Sequence, residues 1–342
     1  MKVTILGGAG FLGRKLADRL VRDGRLGGNA VTALTLFDTV PPAPPRSAAE
    51  AGFPVHCVQG DVTQPEAALP PGTDVVFHLA AVVSAQAEAD YALGLRVNLH
   101  GALAVAEACR TAVAQGARPP RLVFTSSVAT FSGGQDAKLA DDARQTPANS
   151  YGAQKAAAEL LLADASRRGF LDLVSLRLPT IVVRPGRPNR AASSFLSAIL
   201  REPLLGLETE LPVTDDFTAW VASPRRAVDW LVHAGGMSTQ AMGLDRGVNP
   251  PGLSVTAARM LQALDAVQPG ASALVRRVPD PAIAAIVGTW PAAFEPIRAR
   301  TLGFSAHEPF TEVVQAFAED DLEATRAERG LAGSARGASL GR

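Results

Sequence analysis

Tyr151 and Lys155 stand four positions apart in Tyr151-Gly152-Ala153-Gln154-Lys155. On a helix that spacing puts both side chains on one face, so an ammonium can lie beside a phenol. A free phenol, with a pKa of about 10, is a poor base at neutral pH, but a neighbouring cation favours its phenolate. The phenolate can accept an alcohol's proton while hydride leaves the carbinol carbon. Ser126 and Ser127 close the apolar run Phe124-Thr125-Ser126-Ser127, and a hydroxyl at the end of a strand can donate to the reacting oxygen. A Tyr/Lys pair alone commonly marks only a helix surface, so the reading depends on an acceptor for the hydride.

That acceptor has a candidate site near the N-terminus. Gly7-Gly8-Ala9-Gly10-Phe11-Leu12-Gly13 is a GxxGxxG loop between an apolar run and a helical stretch. Gly7, Gly10 and Gly13 allow a tight turn and close backbone approach, and the helix opening at Phe11 and Leu12 offers free amides to a pyrophosphate. Asp38 follows the second apolar run, where a carboxylate accepts hydrogen bonds from ribose hydroxyls and repels a 2′-phosphate, favouring NAD over NADP. Arg14 and Arg46 are near enough in sequence to serve such a phosphate instead, or to be plain solvated charges. Asp61-Val62 suits the adenine edge, although an Asp opening a turn needs no ligand.

These groups need a sheet to bring them together. Short runs rich in Val, Leu, Ile and Phe at 3–6, 33–37, 55–59, 75–79, 121–125 and 173–178 alternate with helical stretches at 11–23, 88–115 and 150–168. The pattern predicts an α/β fold, a doubly wound parallel sheet of Rossmann type. Closely spaced prolines from Pro179 to Pro212 mark entry into a smaller C-terminal substrate lobe. The expected division is a cofactor domain over 1–178 with a returning segment near 217–245, a lobe over 179–216 and 246–329, and a disordered tail over 330–342. Helices are expected at 254–266, 281–290 and 309–328.

Composition narrows the partners. The 342 residues carry 33 basic and 33 acidic side chains, so no electrostatic footprint for nucleic acid is present. Cys57 and Cys109 lack disulfide or metal-ligand spacing, so no metal is expected and a reducing cytoplasm is the natural home. No apolar run reaches membrane-spanning length, and the first residues read as a buried strand rather than a leader.

Taken in order, the glycine loop, Asp38, Asp61-Val62, His78-Leu79-Ala80-Ala81, Val97-Asn98, Ser126-Ser127 and Tyr151 with Lys155 resemble the extended short-chain dehydrogenase/reductase family, the NAD-dependent epimerases and dehydratases, over about residues 1–310. The resemblance implies NAD as cofactor, Tyr151 as proton acceptor, Lys155 on the nicotinamide ribose and Ser127 orienting the substrate hydroxyl. It also implies that Leu79, Ala80, Ala81 and Pro179 line the nicotinamide side, that Ser126 belongs to the cofactor site, that Asn98 serves that site by bracing a helix kink and a water or else is a helix cap or core amide, and that helices 88–115 and 150–168 pair two chains into a homodimer. His78 reads as a core histidine.

Beyond residue 178 the sequence departs from the nucleotide-sugar epimerases, whose Asn-Val-Tyr-Gly-Pro stretch is replaced by Leu178-Pro179-Thr180-Ile181-Val182 and an arginine-rich loop. Arg184, Arg187, Asn189, Arg190 and Ser193 there suit a carboxylate with vicinal hydroxyls, because guanidinium binds carboxylate bidentately. Solvent-facing arginines are the bland alternative. Residues 178–206 and 220–225, with Trp290-Pro291 and Leu302-Gly303-Phe304, are similar to the sugar-acid dehydrogenases of the family. That likeness implies oxidation at C2 of a four-carbon sugar acid, with Ser84, Ser127, Tyr151, Arg184, Asn189, Ser193, Trp220 and Arg225 around the substrate. A nucleotide-sugar 4-epimerase or dehydratase, and a non-catalytic NAD(P)-sensing protein, are the alternatives.

Overall fold

The computed structural model describes residues 1–133, 138–187, 192–306 and 309–331. Apolar runs buried on both faces pair in parallel as β1 (Lys2–Leu6), β2 (Ala33–Asp38), β3 (Val55–Gln59), β4 (Val75–His78), β5 (Arg121–Ser127) and β6 (Asp172–Leu178), with the more exposed β3 at an edge. The chain then forms β7 (Thr180–Ile181) and β8 (Thr218–Ala222) before β9 (Gly247–Val248) completes the sheet, in the order β3-β2-β1-β4-β5-β6-β9. Strand order reverses between β1 and β4, and the crevice at their carboxyl ends is where such sheets bind ligands.

Seven longer helices matter here: α1 (Phe11–Asp23), α2 (Gly101–Ala114), α3 (Ser150–Arg167), α4 (Ser194–Leu204), α5 (Pro224–Gly236), α6 (Ala257–Val267) and α7 (Phe310–Asp320). Leu16 and Leu20 of α1 and Trp230 and Leu231 of α5 cover one sheet face with Val3, Ile5 and Phe77. On the other face Val105 of α2 and Leu162 of α3 pack on Val76, Leu122 and Phe124. A separate core joins Phe195 and Ile199 of α4, Met260 of α6 and Phe317 of α7 to Val183 and Val221, forming the smaller lobe. Among the described residues no helix is long and apolar enough to cross a membrane.

Several element boundaries differ from the sequence expectation, among them the helix expected over 309–328, which divides into α7 and Leu322–Glu328, and that over 281–290, which ends at Val287. The helix expected over 88–115 is broken into Ser84–Ala89, Tyr91–Gly94 and a π-helical turn at Leu95–His100 ahead of α2. Asp90 causes the first break by accepting from the Leu93 N–H at 3.0 Å, a cap that starts a new helix. The stretch from 254 begins as a strand, β10 (Leu253–Thr256), antiparallel to β8, and Thr256 then caps α6 by accepting from the Arg259 N–H. The returning segment runs past 245, because Gly247 and Val248 pair with Ser175 and Leu176 and extend the main sheet. Of the tail predicted over 330–342, residues 332–342 lie outside the described residues.

Candidate active site

The glycine loop closes tightly on the carboxyl ends of its neighbours. Gly7 has φ +92°, and a Cβ there would sit 2.7 Å from the Ala80 nitrogen; one on Gly13 would sit 2.2 Å from the Gly7 carbonyl oxygen. Gly10 is the N-cap of α1 and no side chain caps that end, which leaves the first-turn amides at Phe11, Leu12 and Gly13 for an anion. Asp38 is held against the loop, its Oδ2 accepting from the Ala9 N–H at 3.0 Å. Uncapped amides beside a carboxylate at the end of the second strand fit a dinucleotide whose pyrophosphate meets the helix and whose ribose meets the acid. Asp61 is occupied locally, since its Oδ1 accepts from both the N–H and the hydroxyl of Thr63 at 2.9 Å, and these bonds hold its carboxyl below the usual range. Val62 is buried where a Cβ on Gly101 would strike it.

A cavity of about 300 Å³ runs from this loop past Leu79, Ala81 and Ser84 to Ser127, Tyr151, Pro179, Arg184 and Ser193. Ala80 sits behind that wall, its N–H donating to the Leu6 carbonyl. Tyr151 occupies the first turn of α3, fixed because Asn149 caps the helix by accepting from the Gly152 N–H at 2.8 Å. Its phenol shares a hydrogen bond with Ser127, the last residue of β5, whose Oγ also accepts from the Ala129 N–H at 3.1 Å. Burial pushes the phenol above its ordinary pKa, while the Arg184 charge and the Ser127 bond pull it back.

Lys155, one turn further along α3, is fully buried, and its Nζ donates to the Thr125 carbonyl at 2.9 Å. The same nitrogen lies 4.6 Å from the centroid of the Phe124 ring and 5.9 Å from that of Tyr151. Burial lowers its pKa to about 7, opposed by the charge of Glu159. Glu159 pairs with Arg177 at 2.9 Å and accepts a short bond from the Ser126 hydroxyl. These bonds tie α3 to β5 and β6 directly beneath the reactive pair.

Several expected contacts have other partners. Ser126 lines the cavity, and its hydroxyl donates to Glu159. Asn98 is fully buried and serves as a core amide, not a cofactor contact: its Oδ1 accepts from the Val82 N–H at 2.9 Å and its Nδ2 donates to the Val82 carbonyl at 3.1 Å. The π-helical turn brings Asn98 to this position, and the two bonds pin the segment that follows the cofactor wall.

Two substrate assignments are corrected. Arg225 lies in an outer groove with Lys15 and Arg46 and pairs with Asp320 at 2.8 Å and Glu319 at 2.9 Å, because α5 turns its first-turn charges toward α7. Trp220 is buried behind the cavity against Val128, Phe131, Leu139 and Phe294, since alternation along β8 points it into that cluster. Asn189, like Arg190, lies outside the described residues.

Trp290, Val83, Thr180 and Ile181 also line the cavity and were not read as contacts from their spacing. Trp290 follows the helix Pro281–Val287, its N–H donating to the Val287 carbonyl at 3.1 Å. A large aromatic in a short Gly-Thr-Trp-Pro turn, off any helical period, was the available signal.

This chain is similar to known proteins over most of its length. The family profile described as "NAD dependent epimerase/dehydratase family" matches residues 3–222. A relative from Cupriavidus necator, "D-erythronate dehydrogenase", is 47% identical over 94% of this chain and 98% of its own length. A protein of the same description from Haemophilus influenzae is 37% identical over 94% of this chain and 100% of its own length. A solved structure from Agrobacterium tumefaciens, described as a nucleoside-diphosphate-sugar epimerase, superposes with a TM-score of 0.90 at 44% identity, covering 94% of this chain and 95% of that one.

Proposed function

This chain belongs to the NAD dependent epimerase/dehydratase family, and from that premise we propose that it oxidises the C2 hydroxyl of D-erythronate to give 2-dehydro-D-erythronate, with NAD as the cofactor. The observation that carries the reading is a cation in the same cavity as the base: Arg184 faces the space that Tyr151 and Ser127 line. A 2-hydroxy acid presents a carboxylate one carbon from the hydroxyl to be oxidised, so base and guanidinium must share a small cavity. Two relatives bearing the dehydrogenase description support the four-carbon acid in particular.

In this mechanism the bound nicotinamide supplies the hydride acceptor. Gly7, Gly10, Phe11, Leu12 and Gly13 would hold the pyrophosphate, Asp38 would take the adenosine ribose, and Leu79, Ala81 and Pro179 would flank the nicotinamide. Tyr151 accepts the C2 hydroxyl proton, Ser127 donates to the oxygen as it becomes a carbonyl, and Lys155 fixes the nicotinamide ribose and favours the phenolate. Arg184, with Ser193 and Ser84, orients the acid so that C2 meets the base. Two chains pair through α2 and α3, where the short helix Tyr91–Gly94 exposes Tyr91 and α3 exposes Leu160 and Leu161.

The test is NAD reduction followed by absorbance, offering D-erythronate, L-threonate and their stereoisomers separately. NADH is expected with D-erythronate. Tyr151→Phe should lower kcat by about 10² to 10⁴-fold with little change in NAD affinity. Substantial turnover by that variant would remove Tyr151 from the base role. The Agrobacterium description favours a second reading, a nucleotide-sugar epimerase. Conversion of a UDP-sugar with no net NADH would establish it in place of the dehydrogenase.

A further inference from the structure

Adjoining the catalytic cavity is a smaller one of about 160 Å³, which shares Phe11, Thr180, Ile181, Arg184 and Ser193 with it. Its far wall is Arg187, Ser197 and Arg201, and its floor is the N-terminal end of α4. Arg201 is 1% exposed. Its Nε donates to Glu202 at 2.8 Å and its Nη1 to the Arg184 carbonyl at 2.8 Å, whereas Nη2 is buried without a hydrogen-bond partner among the described residues. A buried guanidinium N–H left unbonded costs free energy that a core has no reason to carry unless something else accepts it.

Three further features give the cavity an anionic occupant. Ser193 is the N-cap of α4 and makes no capping bond with its side chain. The Arg184 N–H donates to Ser197 Oγ at 3.1 Å, which fixes that hydroxyl beside the helix end. Arg184 itself stands 5.5 Å above the ring of Phe11, the first residue of the cofactor-binding helix, so the two cavities meet at one guanidinium. The acidic groups nearby, Glu202 and Glu328, do not cancel the cationic surplus: Glu202 is shared between Arg201 and Arg329.

We propose that this second cavity is the seat of the substrate's carboxylate, which accepts from Arg201 Nη2 and from the Ser197 hydroxyl while Arg184 stands over it on the side of Tyr151. The proposal rests on the 2-hydroxy-acid reading and makes Arg201 and Ser197 specificity-determining residues. An alcohol of the same carbon skeleton without the acid, such as erythritol, leaves the seat unfilled and is a poor substrate. Because Phe11 lines the same space, the cofactor's pyrophosphate is the other source of an oxyanion.

The experiment compares wild type with Arg201→Gln and Ser197→Ala, the latter retained in case the buried arginine is needed for folding. It measures kcat and KM for D-erythronate, the NAD dissociation constant, and the melting-temperature rise given by malonate, a carboxylate that cannot be oxidised in this way. The expected result is a KM raised about 10 to 100-fold, the loss of one charge-assisted hydrogen bond. The malonate rise should disappear, with NAD affinity within about twofold of wild type. Wild-type KM together with an intact malonate rise in either folded variant overturns the seat. Weakened NAD binding with unchanged KM also overturns it and gives the cavity to the pyrophosphate. If no four-carbon acid is oxidised but malonate stabilises wild type and not the variants, the seat stands and the proposed reaction falls.

Discussion

At the residue scale the decisive quantity is how easily the Tyr151 phenol ionises. Burial raises its pKa, and the two opposing influences are the Arg184 charge and the Ser127 hydrogen bond. In the proposed reaction Arg184 therefore acts on the base as well as on the substrate, and the two roles can be separated. Removing the guanidinium in Arg184→Met should shift the ascending limb of kcat/KM to higher pH, because phenolate then forms less readily. Arg184→Lys should restore the limb more fully than it restores KM, since an ammonium supplies charge without the bidentate fork. A pH profile that does not move in Arg184→Met would confine this residue to substrate binding. The placement of Tyr151 and Lys155 on one helix and of the glycine loop at a strand-to-helix turn was readable from spacing, because a helix period and such a turn leave few arrangements. Arg184 and Arg225 were not separable that way. With 29 Arg against 4 Lys in the chain, what a guanidinium does depends on which element faces it, and α7 faces Arg225.

Elements convert these residue types into geometry, and the join between β1 and α1 is the tightest place in the site. A Cβ on Gly13 would lie 2.2 Å from a backbone oxygen, with no flexible side chain to yield, so α1 must move away from the loop. Gly13→Ala should weaken NAD binding at least about tenfold and cost roughly 1–3 kcal/mol of stability, read by cofactor titration and urea unfolding. Wild-type NAD affinity in a folded Gly13→Ala protein would mean that the first-turn amides of α1 do not set the cofactor's position. The strands and their parallel pairing were legible because buried runs of Val, Leu, Ile and Phe cannot be satisfied as surface helix. Helix continuity was less so. The break at Asp90 depends on a side chain choosing a cap over solvent, and the π-helical turn at Leu95–His100 on the tertiary bond from Asn98 to Val82. Local periodicity has no access to either choice. Trp220 failed as a contact for a related reason, because strand alternation gives two faces but not which of them meets the ligand.

For the whole molecule, the site's burial has a consequence for stability in acid. His78 ends β4 fully buried, neither ring nitrogen makes a hydrogen bond, and its ring packs 5.4 Å from that of Phe124, on which Lys155 also rests. Burial, reinforced by the Lys155 charge, lowers its pKa from 6.5 to about 3. Between those values the unfolded chain binds a proton that the folded chain refuses. The neutral ring therefore supports folding above pH 6.5, and that support is lost as pH falls through the window toward 3. At about 1.4 kcal/mol per pKa unit the full loss is on the order of 5 kcal/mol, a large part of the stability of an ordinary domain. His78→Leu removes this titration and leaves the carboxylates and other histidines in place. Its stability relative to wild type should rise steadily as urea unfolding is repeated from pH 7 down to pH 4, even if the variant is the weaker protein at neutral pH. Parallel curves for the two proteins would show that His78 is protonated in the folded chain, with its charge accommodated beside Lys155, and would place the acid sensitivity elsewhere in the fold.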